Sequence, residues 1–244
     1  MANWSDPRTT AAPHPGTIGR EGVAFDAGLR SYMLSVYNYM ASGVLLTGIV
    51  AMLFANSGYA ATILGGPGIL KYVIMFAPLA FVMVLSFGIN RLSTSTAHLL
   101  FWAFATVMGL SMASIFLVFT GESIATTFFA TAAAFVGLSL YGYTTKKDLS
   151  AFGTFLIMGV VGLLVAMIIN MFVQSSALQL AISFIGVLLF AGLTAYDTQR
   201  IKSLYFHVAG TDMMGKTVIM GALSLYLDFV NMFTFLLNFM GSRE

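Results

Sequence analysis

Charged residues are scarce and cysteine is absent in this sequence of 244 residues. Only 8% of the residues are Asp, Glu, Lys or Arg, whereas about 25% is usual in a soluble domain, so there is too little charge to cover a water-exposed surface. The lack of cysteine excludes disulfide bonds and thiolate metal ligands. The net charge of +2 comes from few, scattered basic residues, which argues against a nucleic-acid-binding protein.

Long apolar stretches without charge make up most of the chain, of which 59% is hydrophobic. No charged residue lies between positions 31 and 70, 92 and 121, or 149 and 196. A helix needs about 20 apolar residues to cross a bilayer, so the polar breaks predict an all-α polytopic membrane protein, a bundle of seven transmembrane helices. The predicted spans are Tyr32–Ala55, Tyr72–Asn90, Thr96–Phe119, Ser123–Thr145, Leu149–Val173, Ala177–Ile201 and Thr217–Met240.

One break within these spans is contestable. The charge-free stretch from Leu149 to Tyr196 is too long for one helix, and residues 174–176 (Gln-Ser-Ser) are the expected turn. A six-span arrangement with one re-entrant segment is the alternative. Within the fourth span, Ala133 and Gly137 are small residues spaced four apart, which predicts a close approach of helices.

The amino-terminal segment, residues 1–30, is rich in proline and glycine and shows no apolar periodicity. We expect a flexible tail, followed by a transmembrane domain over residues 31–244. It does not fit a cleavable signal, because the first apolar stretch starts late and is long.

The distribution of Lys and Arg predicts the orientation. With seven spans, nine of the eleven basic residues lie on the side of the amino terminus and two on the other. Cytoplasmic loops carry the excess of basic residues, so the amino terminus is predicted to be cytoplasmic.

Two aspartates, Asp197 and Asp228, lie inside the sixth and seventh spans. A charge at membrane depth costs about 2.5–3.5 kcal/mol on insertion scales and usually has a function. At about 1.5 Å per residue, Asp228 is about 10 Å from the cytoplasmic end of its helix, and Asp197 about one turn from the same face. Helices joined by a short loop are usually neighbours, so the two carboxyls are expected to meet.

The spacing of Ser224, Asp228 and Asn231 predicts a supporting polar stripe on the seventh helix, which Asn238 extends. Two carboxyls that share a poorly hydrated site cannot both ionise freely, so the pair is expected to titrate as a unit and to sense pH. The alternative is that each aspartate only caps or hydrogen-bonds a neighbouring helix.

Three segments resemble the bacterial members of the Bax-inhibitor (transmembrane Bax-inhibitor motif) family. They are Gly192–Gln199, Ala222–Asn231 and Tyr141–Leu149. The resemblance covers the whole membrane region and implies a pH-sensitive calcium leak channel in the bacterial inner membrane, gated by paired aspartates that match Asp197 and Asp228.

By the same resemblance, Arg91 matches a basic residue at the cytoplasmic end of the second helix, which can latch onto the carboxylate of Asp197. Without the resemblance, Arg91 is most simply a topology signal at a span end. The resemblance also links some bacterial relatives to a membrane-bound protease.

These observations lead to one functional hypothesis and two alternatives. We expect a non-enzymatic channel without a cofactor, with calcium as the permeant ion and a transient calcium site between Asp197 and Asp228, because oxygen ligands suit calcium. The interaction alternative is a membrane regulator that binds a membrane protease or another partner, with the tail as its handle. The enzyme alternative is an intramembrane aspartyl protease, but presenilin-like enzymes have Gly-x-Gly-Asp where this chain has Tyr226-Leu227-Asp228.

Overall fold

The structure, a computed structural model, describes the backbone of residues 15–243 and the side chains of residues 26–243. This part of the chain folds into eight α-helices and one 3-10 helix. The helices are α1 (Pro15–Asn56), α2 (Tyr59–Gly65), α3 (Leu70–Gly88), α4 (Thr94–Met112, continued by the 3-10 helix Ala113–Leu117), α5 (Gly121–Thr144), α6 (Ser150–Val173), α7 (Ser176–Val208) and α8 (Met213–Met240).

Seven of these helices are long and apolar enough to cross a membrane, and the short α2 is not one of them. The predicted all-α fold with seven spans is therefore confirmed. The contested turn also lies where it was predicted. Gln174 ends α6 in the left-handed conformation with φ 52°, and the side chain of Ser175 caps α7 by accepting a hydrogen bond from the Leu178 amide.

Two helices extend beyond the predicted span ends. Helix α1 begins at Pro15, so residues 15–30 of the predicted tail are helical, and residues 1–14 lie outside the described part of the chain. Helix α7 continues to Val208 instead of ending at Ile201. The two extensions pack on each other: a Cβ atom at Gly28 of α1 would collide with the hydroxyl of Tyr205 of α7. The rings of Tyr32, the first residue of the predicted first span, and Tyr205 lie 5.4 Å apart between centroids.

Helix α8 lies at the centre of the bundle and contacts α1, α4, α5 and α7. It is the most buried of the seven spans, whereas α3 and α6 expose most of their apolar side chains, as expected of helices that face lipid. The hydrophobic core is built around α8, with Tyr226, Leu225 and Met232 among its fully buried side chains. A charge on this helix is therefore surrounded by protein.

Glycines allow α7 to approach its neighbours closely. A Cβ atom at Gly142 of α5 would collide with the backbone carbonyl of Ala195, and one at Gly153 of α6 with the ring of Tyr196. The predicted pair, Ala133 and Gly137, is exposed instead, and a Cβ at Gly137 would meet no other atom. The backbone just before Asp197 is thus fixed from two sides.

The carboxyl-terminal end of α8 is tied to the connection between α4 and α5. Residues Phe119 and Arg243 form an isolated antiparallel bridge. The Thr120 amide donates to the Ser242 carbonyl at 3.2 Å, and the Ser242 amide donates to the Ser123 hydroxyl at 2.9 Å. The carboxyl-terminal end of α8 therefore lies on the same face of the bundle as the start of α5, as an odd number of spans requires.

We predict that Gly142→Ala destabilises the protein by about 1–3 kcal/mol, because the added methyl group forces α5 away from α7. The matched control is Gly137→Ala on the same helix, where the methyl group enters open space and the change should stay within about 0.5 kcal/mol. Thermal unfolding of the detergent-solubilised protein measures both. Equal melting temperatures for the two variants would contradict the close contact.

Candidate functional site

Asp228 lies in the buried middle of α8 and is 4% exposed. Among the described residues, its Oδ2 atom has no hydrogen-bond partner. An unsatisfied buried polar atom is rare in a folded protein and calls for an explanation. A proton, a cation or a rearranged neighbour could each satisfy it.

Asp197 lies on α7 and is 9% exposed. Its Oδ1 atom is 3.4 Å from Nη1 of Arg200, one turn further along the same helix. The Arg200 side chain is 52% exposed, so the guanidinium group connects the buried carboxylate to the polar end of the bundle. At this distance and exposure the ion pair is weak.

Asp197 and Asp228 lie on neighbouring helices, near enough for their charges to interact. The Asp228 carboxyl interacts with the charges of both Asp197 and Arg200. Two carboxyls and one guanidinium therefore form a single charged cluster between α7 and α8, which we call the carboxyl pair and its arginine.

The helices around this cluster are cross-linked by buried hydroxyl groups. The Tyr226 hydroxyl, two residues before Asp228, lies 2.6 Å from the Thr47 hydroxyl of α1, which donates to the Ala105 carbonyl of α4 at 2.8 Å. A second contact joins α1 to α7, where the Tyr37 hydroxyl lies 3.4 Å from the Thr198 hydroxyl. These contacts hold α1, α4, α7 and α8 in register around the two carboxyls.

The supporting polar stripe does not bond to the carboxyl pair. Asn231 donates from Nδ2 to the Leu227 carbonyl of its own helix at 2.8 Å, and Asn238 makes the same kind of bond to Thr234. Ser224 is half-buried on α8. Within the described side chains, neither Ser224 nor Asn231 has a hydrogen bond to Asp197 or Asp228, so their role as supports stays a prediction.

Arg91, the predicted latch, lies exposed in the turn between α3 and α4. Across residues 26–243, the ion pair of Asp197 is formed with Arg200, not with Arg91. The latched arrangement is therefore not the one in this structure, and the role of Arg91 stays a prediction. Arg200 was not among the predicted site residues, although an Asp and an Arg spaced by three in a helix are expected to pair.

A clamp of hydrogen bonds, which no sequence pattern predicted, fixes the α5–α6 connection to α7. The Gln199 side chain accepts a hydrogen bond from the Leu149 amide at 2.9 Å and donates to the Lys147 carbonyl at 2.8 Å. Lys202 donates to the Tyr143 carbonyl at 2.8 Å and lies over the Tyr143 ring. The clamp connects this loop to the helix turn that carries Arg200.

Asp148 belongs to the same loop and is fully exposed. The hydrogen bonds that it accepts from Ser150 hold the pKa of this carboxyl below its usual value. It therefore stays ionised near neutral pH, beside Lys146 and Lys147. A polar recess of about 280 Å³ lies here, and Arg200 is part of its wall.

The described side chains contain no group of three or more His, Cys, Asp or Glu that could hold a metal ion. Calcium takes six to eight oxygen ligands in a stable site. Two carboxyls supply only part of such a shell, so the expected calcium site, if formed by Asp197 and Asp228, depends on water or backbone carbonyls for its other ligands.

The fold and the buried cluster define an integral multi-pass membrane protein with an acidic pair in its centre. The family model described as "Inhibitor of apoptosis-promoting Bax1" matches residues 29–244. The chain therefore belongs to the Bax-inhibitor family, as its resemblance indicated.

Similar proteins occur in several bacteria. One is the uncharacterized protein RP147 of Rickettsia prowazekii, 46% identical over 231 residues that cover 93% of this chain and 96% of the relative. Another is the inner membrane protein YbhL of Escherichia coli, which is 44% identical over 220 residues that cover 89% of this chain and 94% of the relative. An uncharacterized protein of Caulobacter vibrioides is 46% identical over 236 residues that cover 92% of this chain and 94% of the relative. The predicted location, a bacterial inner membrane, agrees with these relatives and with the seven spans.

We predict that Gln199→Ala speeds hydrogen exchange at the Leu149 amide by about five-fold or more, because each lost hydrogen bond contributes about 0.5–1.5 kcal/mol. Gln199→Glu is the matched control: it keeps the acceptor for Leu149 and loses only the donor to Lys147, so its effect should be smaller. Exchange at Leu149 that is as slow in Gln199→Ala as in the wild type would exclude the clamp.

Proposed function

We propose that this protein is a pH-sensitive calcium leak channel, gated by protonation of Asp197 and Asp228. The observation that carries the proposal is the carboxyl pair: Asp228 is buried with one oxygen unsatisfied among the described residues, and it shares its surroundings with Asp197 and a single arginine.

The charges of this cluster explain how one site can sense pH and attract calcium. When both carboxyls are ionised, two negative charges face one positive charge, that of Arg200, in a poorly hydrated setting. The remaining negative charge is compensated when the pair takes up a proton or when a cation enters. Protons and calcium ions therefore compete for the same oxygen atoms, and the calcium permeability depends on pH.

The small number of protein ligands favours passage of calcium ions over their tight binding. A pair of carboxylates attracts a divalent cation, but it offers far fewer than the six to eight oxygens of a tight calcium site. An ion held mainly by water and two carboxylates can leave as readily as it enters, which conduction requires. Resident calcium is not part of the proposal.

Arg91 supplies the mechanical part of the gate. In the proposed closed state, Arg91 pairs with ionised Asp197 and holds α3 over the cytoplasmic mouth. In the arrangement that the structure describes, Asp197 is paired with Arg200, so two arginines are alternative partners of one carboxylate. Protonation of Asp197 removes the charge that attracts Arg91, so it weakens the latch.

We predict that Asp197→Asn and Asp228→Asn each flatten the pH dependence of calcium flux, because an amide carries no charge at any pH. A leak controlled by one proton changes by at most about ten-fold per pH unit, and in both variants we expect less than about two-fold. Purified protein in liposomes with an enclosed calcium indicator measures this. Asp212→Asn, an exposed carboxyl of the α7–α8 connection, is the control and should keep the wild-type profile.

Sodium and potassium fluxes, measured in the same liposomes, distinguish a calcium path from a general leak. A wild-type profile in both the Asp197 and the Asp228 variant would remove the pair from the gating mechanism. Flux that is abolished at every pH, with intact folding, would instead show that the pair forms the path and does not gate it.

We predict separately that Arg91→Gln raises calcium flux at high pH, where Asp197 is ionised and the latch is closed, and leaves flux at low pH unchanged. Arg91→Lys should restore most of the wild-type profile. Lys71→Gln is the matched control, because Lys71 is a cation at the opposite end of the same helix α3. Equal profiles for Arg91→Gln and Lys71→Gln would exclude the latch.

A further inference from the structure

Helices α1 and α5 both pack on α8 but leave a groove between them. The groove has a volume of about 850 Å³. Apolar side chains such as Met33 and Leu140 line most of it, and Phe229 of α8 forms part of its floor. We call this space the α1/α5 groove. It contains neither aspartate of the carboxyl pair, and it shares only Tyr143 with the clamp described above.

The groove runs along the membrane normal. On α1 its lining extends from Arg30 to Leu45, and on α5 from Phe128 to Tyr143. Fifteen residues of helix rise about 22 Å, which exceeds the thickness of one leaflet of hydrocarbon, about 15 Å. A second, smaller cavity of about 310 Å³ continues the space toward the outer face and shares Val44, Phe128 and Phe229 with it.

Two polar features occur at one end of this apolar groove. Arg30 is exposed near the amino-terminal end of the first membrane span, and no carboxylate among residues 26–243 pairs with it. Ser139 lies on α5 about 8 Å inside the last turn of that helix. Its side chain is 5% exposed, and its hydroxyl has no hydrogen-bond partner among the described residues although it lines the groove.

The order of these groups matches the order of groups in a phospholipid. From the cytoplasmic surface inward, the groove offers a cation, then an unsatisfied hydroxyl donor, then an apolar channel. A phospholipid presents a phosphate, then an ester carbonyl, then hydrocarbon. A buried hydroxyl without a hydrogen-bond partner is unfavourable, so a ligand that accepts its hydrogen bond is favoured at this position.

We infer that the α1/α5 groove binds one anionic phospholipid of the cytoplasmic leaflet. Its phosphate contacts Arg30, an ester carbonyl accepts a hydrogen bond from Ser139, and an acyl chain lies along the groove toward Phe128. A transmembrane helix of a partner fits less well. An apolar partner helix would leave the Arg30 cation and the Ser139 hydroxyl without a ligand.

The test is lipid retention by the purified full-length protein, measured by native mass spectrometry. The protein is mixed in mild detergent with equal amounts of phosphatidylglycerol and phosphatidylcholine of the same chain length. We expect the protein to retain one molecule of phosphatidylglycerol in preference to phosphatidylcholine. Arg30→Gln should lower that preference about five-fold, since a basic residue near the membrane surface contributes about 1 kcal/mol toward an anionic lipid. Lys71→Gln, which removes a cation outside the groove, should not.

A second pair of variants tests the groove itself. Ala41 is an exposed residue of α1 that lines the groove, so Ala41→Trp should fill the space and release both lipids without disturbing the core. Ala80→Trp, at an exposed position of α3 outside the groove, is the control and should retain lipid as the wild type does.

The Ser139 contact has its own control. Ser139→Ala should weaken retention of ester-linked phosphatidylglycerol several-fold and leave an ether-linked analogue, which lacks the carbonyl, unaffected. Wild-type retention in Ala41→Trp would overturn the proposal. So would a wild-type dimer that Ala41→Trp converts to a monomer, because the groove would then be a helix interface. Neither result depends on calcium flux.

Discussion

The carboxyl group of Asp228 is removed from water, and its Oδ2 atom has no hydrogen-bond donor among the described residues. Such a group has to be compensated by a charge or a proton, and the bundle is arranged around this requirement. Helix α8 is the most buried span, so its carboxyl cannot reach the membrane surface as a charge near a helix end can. Compensation has to come from a neighbouring helix. That neighbour is α7, which brings a second carboxyl and, one turn later, an arginine that reaches the polar end of the bundle.

The position of α7 depends on backbone contacts that leave little freedom. The carbonyl of Ala195 and the ring of Tyr196 each occupy the space that a side chain would take at Gly142 and Gly153. Asp197 follows directly in sequence, so its depth and rotation are set by α5 and α6 as well as by α8. The clamp at Gln199 adds the α5–α6 loop to the same unit. A displacement of that loop is therefore transmitted to the turn that bears Arg200.

The sequence predicted the spans and the two aspartates because both depend on local physical rules. Twenty apolar residues and a polar break define a membrane helix wherever it packs, and a carboxyl in such a helix stands out in any arrangement. The glycine contacts were not predicted correctly, because Gly137 and Gly142 differ only in which side of α5 they occupy, and that depends on the positions of other helices. The Gln199 clamp joins residues about fifty positions apart and leaves no periodic signal. The extensions of α1 and α7 pack on each other where Gly28 meets Tyr205, which composition alone does not indicate.

The bridge at the carboxyl-terminal end of α8 determines how this helix can move. Ser242 and Arg243 are bonded to the start of α5 and the residues before it. The carboxyl-terminal end of α8 is therefore the fixed point about which this helix can tilt. A tilt about this point produces the smallest displacement at Phe233 and Leu237, which pack beside the bridge, and a progressively larger one toward Met213. Asp228 lies between the bridge and Met213. A displacement of the Met213 end of α8 therefore changes the distance between Asp228 and α7, but by less than the displacement at Met213 itself. Movements of the connection between α7 and α8 therefore change the electrostatic interactions within the carboxyl pair and its arginine.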